Sequence, residues 1–323
     1  PGTIEIVSRE LSFPAAASQG NIVVKASHPV TVTTDVDQPW MTAVVDGNVI
    51  TVNVTENTSL YGRVSNLTLH SGTGKAYVSV IQSGLIFDIG GVLKINSNDE
   101  QKTFSYPVKA NAGVTVSSNV DWCAVEIVDG ELVINFDANT TGHIRRGIIS
   151  YNIGTISDQI EITQCDFDLD VAGEYKFNYQ DTKGQVQSYD AVIARSGSNY
   201  TMSLGEDYVI PIVFDASSGS ICVKAGAYVK DIVENNVTNY LYTIIAAGSS
   251  YTWGTSIGMT ALLEYTAVSD GAYTTVGVFE NDGSWAGKNP TSICLDVYKS
   301  KTLNSSNRVK RHIEFKAPYL EKK

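Results

Sequence analysis

Cysteine and histidine are scarce in this chain. Four of each are spread over 323 residues. Cys123, Cys165, Cys222 and Cys294 contain no CxxC pair, which leaves a thiolate zinc site unsupported, and four cysteines are too few for a disulfide scaffold. Bridges Cys123–Cys165 and Cys222–Cys294 stay open as alternatives to four buried thiols. His28, His70, His143 and His312 stand far apart, with no HExxH spacing. Charge is also thin, at 18% of residues, and positive charge most of all: 23 Lys and Arg oppose 34 Asp and Glu, for a net charge of −11. That balance excludes a general nucleic-acid or anionic-membrane binder. No run of 18 apolar residues exists to make a membrane-spanning helix. Pro1 stands where an initiator Met would, which reads as a mature or trimmed chain.

What the chain does have is a repeat. Trp40 and Trp122 lie 82 residues apart, and so do Asn57 and Asn139, Arg63 and Arg145, and Gln82 and Gln164. One register held over four anchors is hard to obtain by chance, and its period suits a small sandwich domain better than a solenoid unit. Short β-rich runs fill each copy. In 49–54, Ile50, Val52 and Val54 alternate with Val49, Thr51 and Asn53. Asp46-Gly47 and Asp129-Gly130 sit between such runs as hairpin turns. Turns every 8–12 residues and no sustained 3.6 period indicate a β-sandwich in each copy.

The anchors have a structural reading. Each Trp plugs its own core, with a sugar-stacking platform as the alternative. Each Asn caps a loop through its side-chain amide, each Arg pins a crossover by donating to carbonyls, and each Gln bridges backbone at a strand end.

The pattern Trp40, Asn57-Thr58, Arg63, Gln82 and its copy Trp122, Asn139-Thr140, Arg145, Gln164 resembles the BACON domain, the Bacteroidetes-associated carbohydrate-binding, often N-terminal domain. The resemblance covers 4–84 and 86–165. It implies immunoglobulin-like sandwiches in an exported Bacteroidetes protein of a glycan-utilisation system. Such a protein is expected at the extracellular face of the outer membrane or in the periplasm, lipid-anchored before trimming. The matched residues look like fold residues, so no binding residue is carried over.

From Phe167 the repeat stops. Thirteen of the 17 Tyr lie beyond residue 166, as do Trp253 and Trp285. Strands are expected at 186–195, 199–204, 208–214, 220–225, 240–246, 259–268, 272–280, 292–299 and 309–316, separated by Gly-rich turns. Together with the Gly173-Glu174-Tyr175 opening, this meander resembles the calycin (lipocalin-like) barrel. The fold class is therefore all-β: two tandem immunoglobulin-like β-sandwiches (1–85 and 86–166), then a larger antiparallel β-barrel, or a sandwich, over 167–323. Lys residues on the last strand are read as guarding a sheet edge.

Candidate binding residues lie in two Gly- and Ser-rich loops. Tyr251, Trp253 and Trp285 would supply rings for sugar C–H faces, and Asn281, Asp282 and Asn289 would take hydroxyls. Glu264, Asp270, Glu280 and Asp282 are the carboxylates nearest these loops, but Glu280 and Asp282 read as turn chemistry rather than a glycosidase pair. No GxSxG elbow or phosphate-cradling loop occurs. Calcium near Asp35–Asp37 or Asp166–Asp170 remains an alternative without EF-hand spacing. The expectation is thus a non-enzyme without cofactor, whose partner is a polysaccharide, a host glycan or another surface protein. A purely structural spacer or adhesin component is the competing reading.

Overall fold

The computed structural model describes residues 1–34 and 38–323. The Asp35–Asp37 calcium alternative lies outside the described residues. In the first sandwich one sheet orders its strands as Ile4–Arg9, Ser18–Ala26, Val49–Val54 and Met41–Asp46. The other runs Ser12–Phe13, Gly74–Gln82, Arg63–Ser71 and Val30–Thr34. Alternation does what the sequence pattern requires: Ile50, Val52 and Val54 are buried in the core with Ile22, Leu67, Leu69 and Val80. The second sandwich repeats the order, with Lys94–Ser97, Ile156–Gln164, Arg145–Ile153 and Val114–Ser118 in one sheet. Lys102–Pro107, Glu131–Phe136 and Cys123–Val128 form the other, and the first edge strand has only a two-residue counterpart, Phe87–Asp88, paired with Lys109–Ala110.

All four anchor pairs are equivalent in the two copies. Trp40 and Trp122 are buried, at 8% and 9% exposure. Asn57 donates from Nδ2 to the Tyr61 and Ser83 carbonyls, and Asn139 donates likewise to the His143 carbonyl. Arg63 Nε donates to Gln82 Oε1 at 2.8 Å and Arg145 Nε to Gln164 Oε1 at 2.7 Å. Their Nη2 groups donate to the Thr55 and Asp137 carbonyls. Gln82 and Gln164 then donate from Nε2 to those same carbonyls. Each copy therefore ties a crossover loop to its last strand through a fully buried Gln whose polar groups are satisfied by a half-exposed Arg and by backbone carbonyls.

Asp166 ends the repeat by capping a π-helical turn, Phe167–Val171, accepting from the Asp168 and Leu169 amides. Among the described residues no group of three or more His, Cys, Asp or Glu could hold a metal. The third region is a closed antiparallel barrel. Its wall runs Gly173–Gln180, Val186–Ser196, Asn199–Leu204, Tyr208–Asp215, Ser220–Lys224, Gly258–Ala267, Tyr273–Asn281 and Arg308–Lys322, which pairs back onto Gly173–Gln180. Ser292–Tyr298, Val237–Ala247 and Tyr228–Glu234 extend the wall from the first half of Arg308–Lys322. The last strand has three neighbours: 319–321 lies between Gly173–Gln180 and Tyr273–Asn281, and its first half pairs with Ser292–Tyr298. Side chains fill the barrel: Tyr175, Phe177 and Phe315 are fully buried, and Phe177 and Phe315 meet edge to face at 5.2 Å.

All four cysteines are free and buried, so neither bridge forms. Burial pushes the Cys165 and Cys294 thiols up to about 12. By contacts the chain divides into two units. One holds 1–94, 102–136 and 148–161, and the other holds 95–101, 137–147 and 162–323. No helix among the described residues is long and apolar enough to cross a membrane, which says nothing about strands.

Candidate functional site

Ser250–Thr252 pairs with Val237–Ala247, and this sets Tyr251 and Trp253 on one face with ring centroids 6.3 Å apart. That face is occupied by protein. The Arg308 guanidinium covers Tyr251 at 4.5 Å, and Arg311 stands at 5.8 Å. Both arginines are held at 2.7 Å by the fully buried Asp296. Trp253 packs with Tyr251 against Tyr242, Ile244, Cys294 and Tyr298. Trp285 packs against the barrel core. All three rings are half-buried. The two loops do meet: Lys288 Nζ donates to Ser250 Oγ at 3.1 Å, and the Gly258 amide donates to Ser284 Oγ at 3.0 Å.

The polar candidates lie on the outer wall. Asn281, Asp282 and Asn289 are exposed, and Asn281 Nδ2 donates to Asn289 Oδ1 at 3.3 Å. Asp282 accepts from the Ser284 amide and from Thr260 Oγ1. Burial works to raise its carboxyl, but the Ser284 and Thr260 donors and the Lys224 charge outweigh this and hold it below the usual carboxylate range. An acid held ionised in this way is a poor proton donor.

Three concavities follow one another along that wall. The central one, about 600 Å³, is lined by Thr260, Leu262, Glu264, Val278, Glu280 and Asp282 among others. It shares Glu264 and Thr266 with a concavity of about 450 Å³ that reaches His143, Arg146 and Tyr265. It shares Val278, Glu280 and Asn281 with one of about 440 Å³ that reaches Asn289 and Pro290. Shared walls make them one trough. Strand alternation builds it: Thr260, Leu262 and Glu264 point outward opposite Glu280, Val278 and Val276, while Ala261 and Leu263 point into the core. Leu262 and Val278, 43% and 46% exposed, give an aliphatic floor between carboxylates and hydroxyls.

One end of the trough carries rings. His143 lies flat on Tyr265, with centroids 3.7 Å apart and planes at 3°, and Tyr265 lies 5.7 Å from Tyr273. Tyr265 and Tyr273 are 46% and 62% exposed. His143 Nδ1 sits 3.0 Å from the Ile144 carbonyl, an acceptor, so Nδ1 carries a hydrogen. Arg146 fixes this segment to the wall, donating to the Leu263 and Ser218 carbonyls at 2.7 Å and to Gly219 at 3.2 Å. Its burial lowers the guanidinium pKa. Gly219 has φ +67°, and a Cβ there would stand 2.6 Å from Arg146 Nη2, so only glycine leaves room for the contact.

The structure therefore brings Asn281, Asp282 and Asn289 into the trough, with Glu264 and Glu280, and does not bring Tyr251, Trp253 or Trp285 into its lining. Asp270 stays in its hairpin turn, accepting from the Ala272 amide. Sequence reasoning missed His143 and Tyr265, which line one end of the trough, and Tyr273, which touches Tyr265 outside that lining. The available signal was a pair of tyrosines flanking the Asp270-Gly271 turn.

Comparison with known proteins adds one domain. Residues 111–165 match the BACON model, described as a putative binding domain, N-terminal. No curated protein matches the chain. Among solved structures, a glycoside hydrolase family 107 endo-fucoidan hydrolase variant is 10% identical over 50% of this chain and 28% of its own, with a TM-score of 0.25. A Bacteroides ovatus family GH5 xyloglucanase in complex with a heptasaccharide is 17% identical over 25% of this chain and 18% of its own, at 0.23. A titin I9–I11 tandem is 10% identical over 77% of this chain and 97% of its own, at 0.36. The chain thus spans about a quarter of the length of the fucoidan hydrolase it matches.

Proposed function

We propose that the protein is a non-catalytic glycan-contacting component of a bacterial surface, with two BACON-type sandwiches ahead of a barrel that holds a polysaccharide or host glycan along its outer trough. One observation carries the reading. Three concavities that share walls give a groove suited to a chain rather than to a single small molecule, with rings at one end and amides at the other. Sugar C–H faces pack on exposed tyrosine rings and aliphatic floor, while carboxylates and amides accept and donate to hydroxyls. The packed barrel interior turns the binding role to the outside. A carboxylate-lined groove favours neutral or amine-bearing chains over sulfated or uronate polymers, which would meet like charge.

Retention of the full chain in native gels cast with single polysaccharides tests this directly. The expectation is retardation by at least one neutral polymer, such as a xyloglucan or galactomannan, and none by a sulfated fucan. Unretarded migration in every neutral gel removes the glycan reading. It would leave the spacer reading, which the packing of Trp40 and Trp122 inside their sandwiches also supports.

A further inference from the structure

The chain enters the second sandwich without a linker. Gln82 ends the last strand of the first, and Phe87–Asp88 is already paired with Lys109–Ala110. Residues 83–86 are bonded to both sides. The Ser83 and Leu85 amides donate to the Phe13 and Ser59 carbonyls of the first sandwich, at 3.0 and 2.8 Å. The Ile86 amide donates to Asn111 Oδ1 at 2.8 Å, and Asn111 Nδ2 donates back to the Gly84 carbonyl at 2.6 Å. Leu85 is 4% exposed and packs with Ala15 and Ile153, both fully buried. The Gly154-Thr155 turn of the second sandwich sits directly on it. Gly154 has φ +57°, and a Cβ there would stand 2.7 Å from Leu85 Cδ1. Thr155 Oγ1 donates to the Thr58 carbonyl at 2.8 Å. All of these residues belong to one compact unit.

We infer that residues 83–86 are a pinned joint and that the two sandwiches move as one body. A hinge needs a few residues whose backbone dihedrals can change freely. Here a change of backbone angle within 83–86 breaks a hydrogen bond to one side or the other, and tilting one sandwich against its neighbour draws Leu85 out into water. The device recurs with the repeat. Phe167 stands 82 residues after Leu85, as Gln164 does after Gln82, and it is 6% exposed against the Tyr200 and Phe214 rings. Each copy thus carries a buried apolar peg just beyond its Gln. A pair of sandwiches joined in this way is a spacer of fixed length and fixed rotation. None of this depends on what the trough holds.

Residual dipolar couplings of backbone amides in the intact, weakly aligned chain test the joint. Ser18–Ala26 and Val49–Val54 report the first sandwich, and Cys123–Val128 and Glu131–Phe136 report the second. In wild type one alignment tensor is expected to fit both sets, in each of two alignment media. Two tensors of unequal magnitude in wild type would mean a hinge and would overturn the inference. The double variant Leu85→Ser, Asn111→Ala removes the peg and the side chain that clasps Gly84 and Ile86. It is expected to need two tensors, while each set still fits its own sandwich, and the Leu85 amide should lose about tenfold or more of its protection against hydrogen exchange. A double variant that folds and still fits one tensor with unchanged protection would show that these residues do not hold the joint, and overturns the assignment. If the double variant does not fold, the wild-type tensors decide alone.

Discussion

Trp40 shows how much a single residue decides. It is 8% exposed, its Nε1 donates to Gln38 Oε1 at 2.6 Å, and the Arg63 guanidinium lies 4.6 Å over its ring. Trp40→Ala should cost the first sandwich about 3–5 kcal/mol, the usual loss for emptying a large aromatic core site. Urea unfolding of the full chain, with exchange protection of the Val52 and Leu67 amides as the local readout, measures it. A loss below about 1 kcal/mol would mean a surface ring. Arg63→Lys should destabilise nearly as much as Arg63→Ala, because one ammonium cannot reach Gln82 Oε1 and the Thr55 and Glu56 carbonyls together. If lysine restores wild-type stability, the fork geometry is irrelevant. These anchors were legible because each acts within its own copy and the copies repeat at a fixed offset. The fates of Trp253 and Trp285 were not. A Trp in a Gly-Ser loop reads as exposed, yet both pack on residues remote in sequence.

Elements were readable where alternation ran unbroken. Strand Tyr228–Glu234 escaped because a bulge between Tyr228 and Lys230 shifts the period that marks a strand. Its turn uses Asn235 and Asn236, both at positive φ, in place of the Gly that signals most of the others. The 215–220 hairpin shows what an element can be built to receive. Gly219→Ala would strain a φ of +67° and push Arg146 off the Ser218 and Gly219 carbonyls, at a cost of about 1–3 kcal/mol. The Leu263 amide, which donates to the Gly219 carbonyl at 3.0 Å, reports it through faster hydrogen exchange. Unchanged protection there would show that the contact contributes nothing.

At the scale of the molecule, the all-β class and the order of two sandwiches and a barrel could be read from composition, repeat and turn spacing. Which strands close the barrel could not, since that rests on Gly173–Gln180 meeting Arg308–Lys322 across the length of the region. The trough was hidden for the same reason: His143 and Tyr265 are joined only by the fold. The central claim is that this trough, and not the Tyr251–Trp253 face, holds a glycan. Calorimetric titration of the full chain with the polysaccharide that retards it in gels, repeated for Tyr265→Ala, Tyr273→Ala and Trp253→Ala at matched folded fraction, tests it most directly. The account predicts at least about tenfold weaker binding, about 1.4 kcal/mol, for Tyr265→Ala, a smaller loss for Tyr273→Ala, which acts only through its contact with Tyr265, and little change for Trp253→Ala. Binding that survives both tyrosine substitutions and is lost with Trp253→Ala would contradict it.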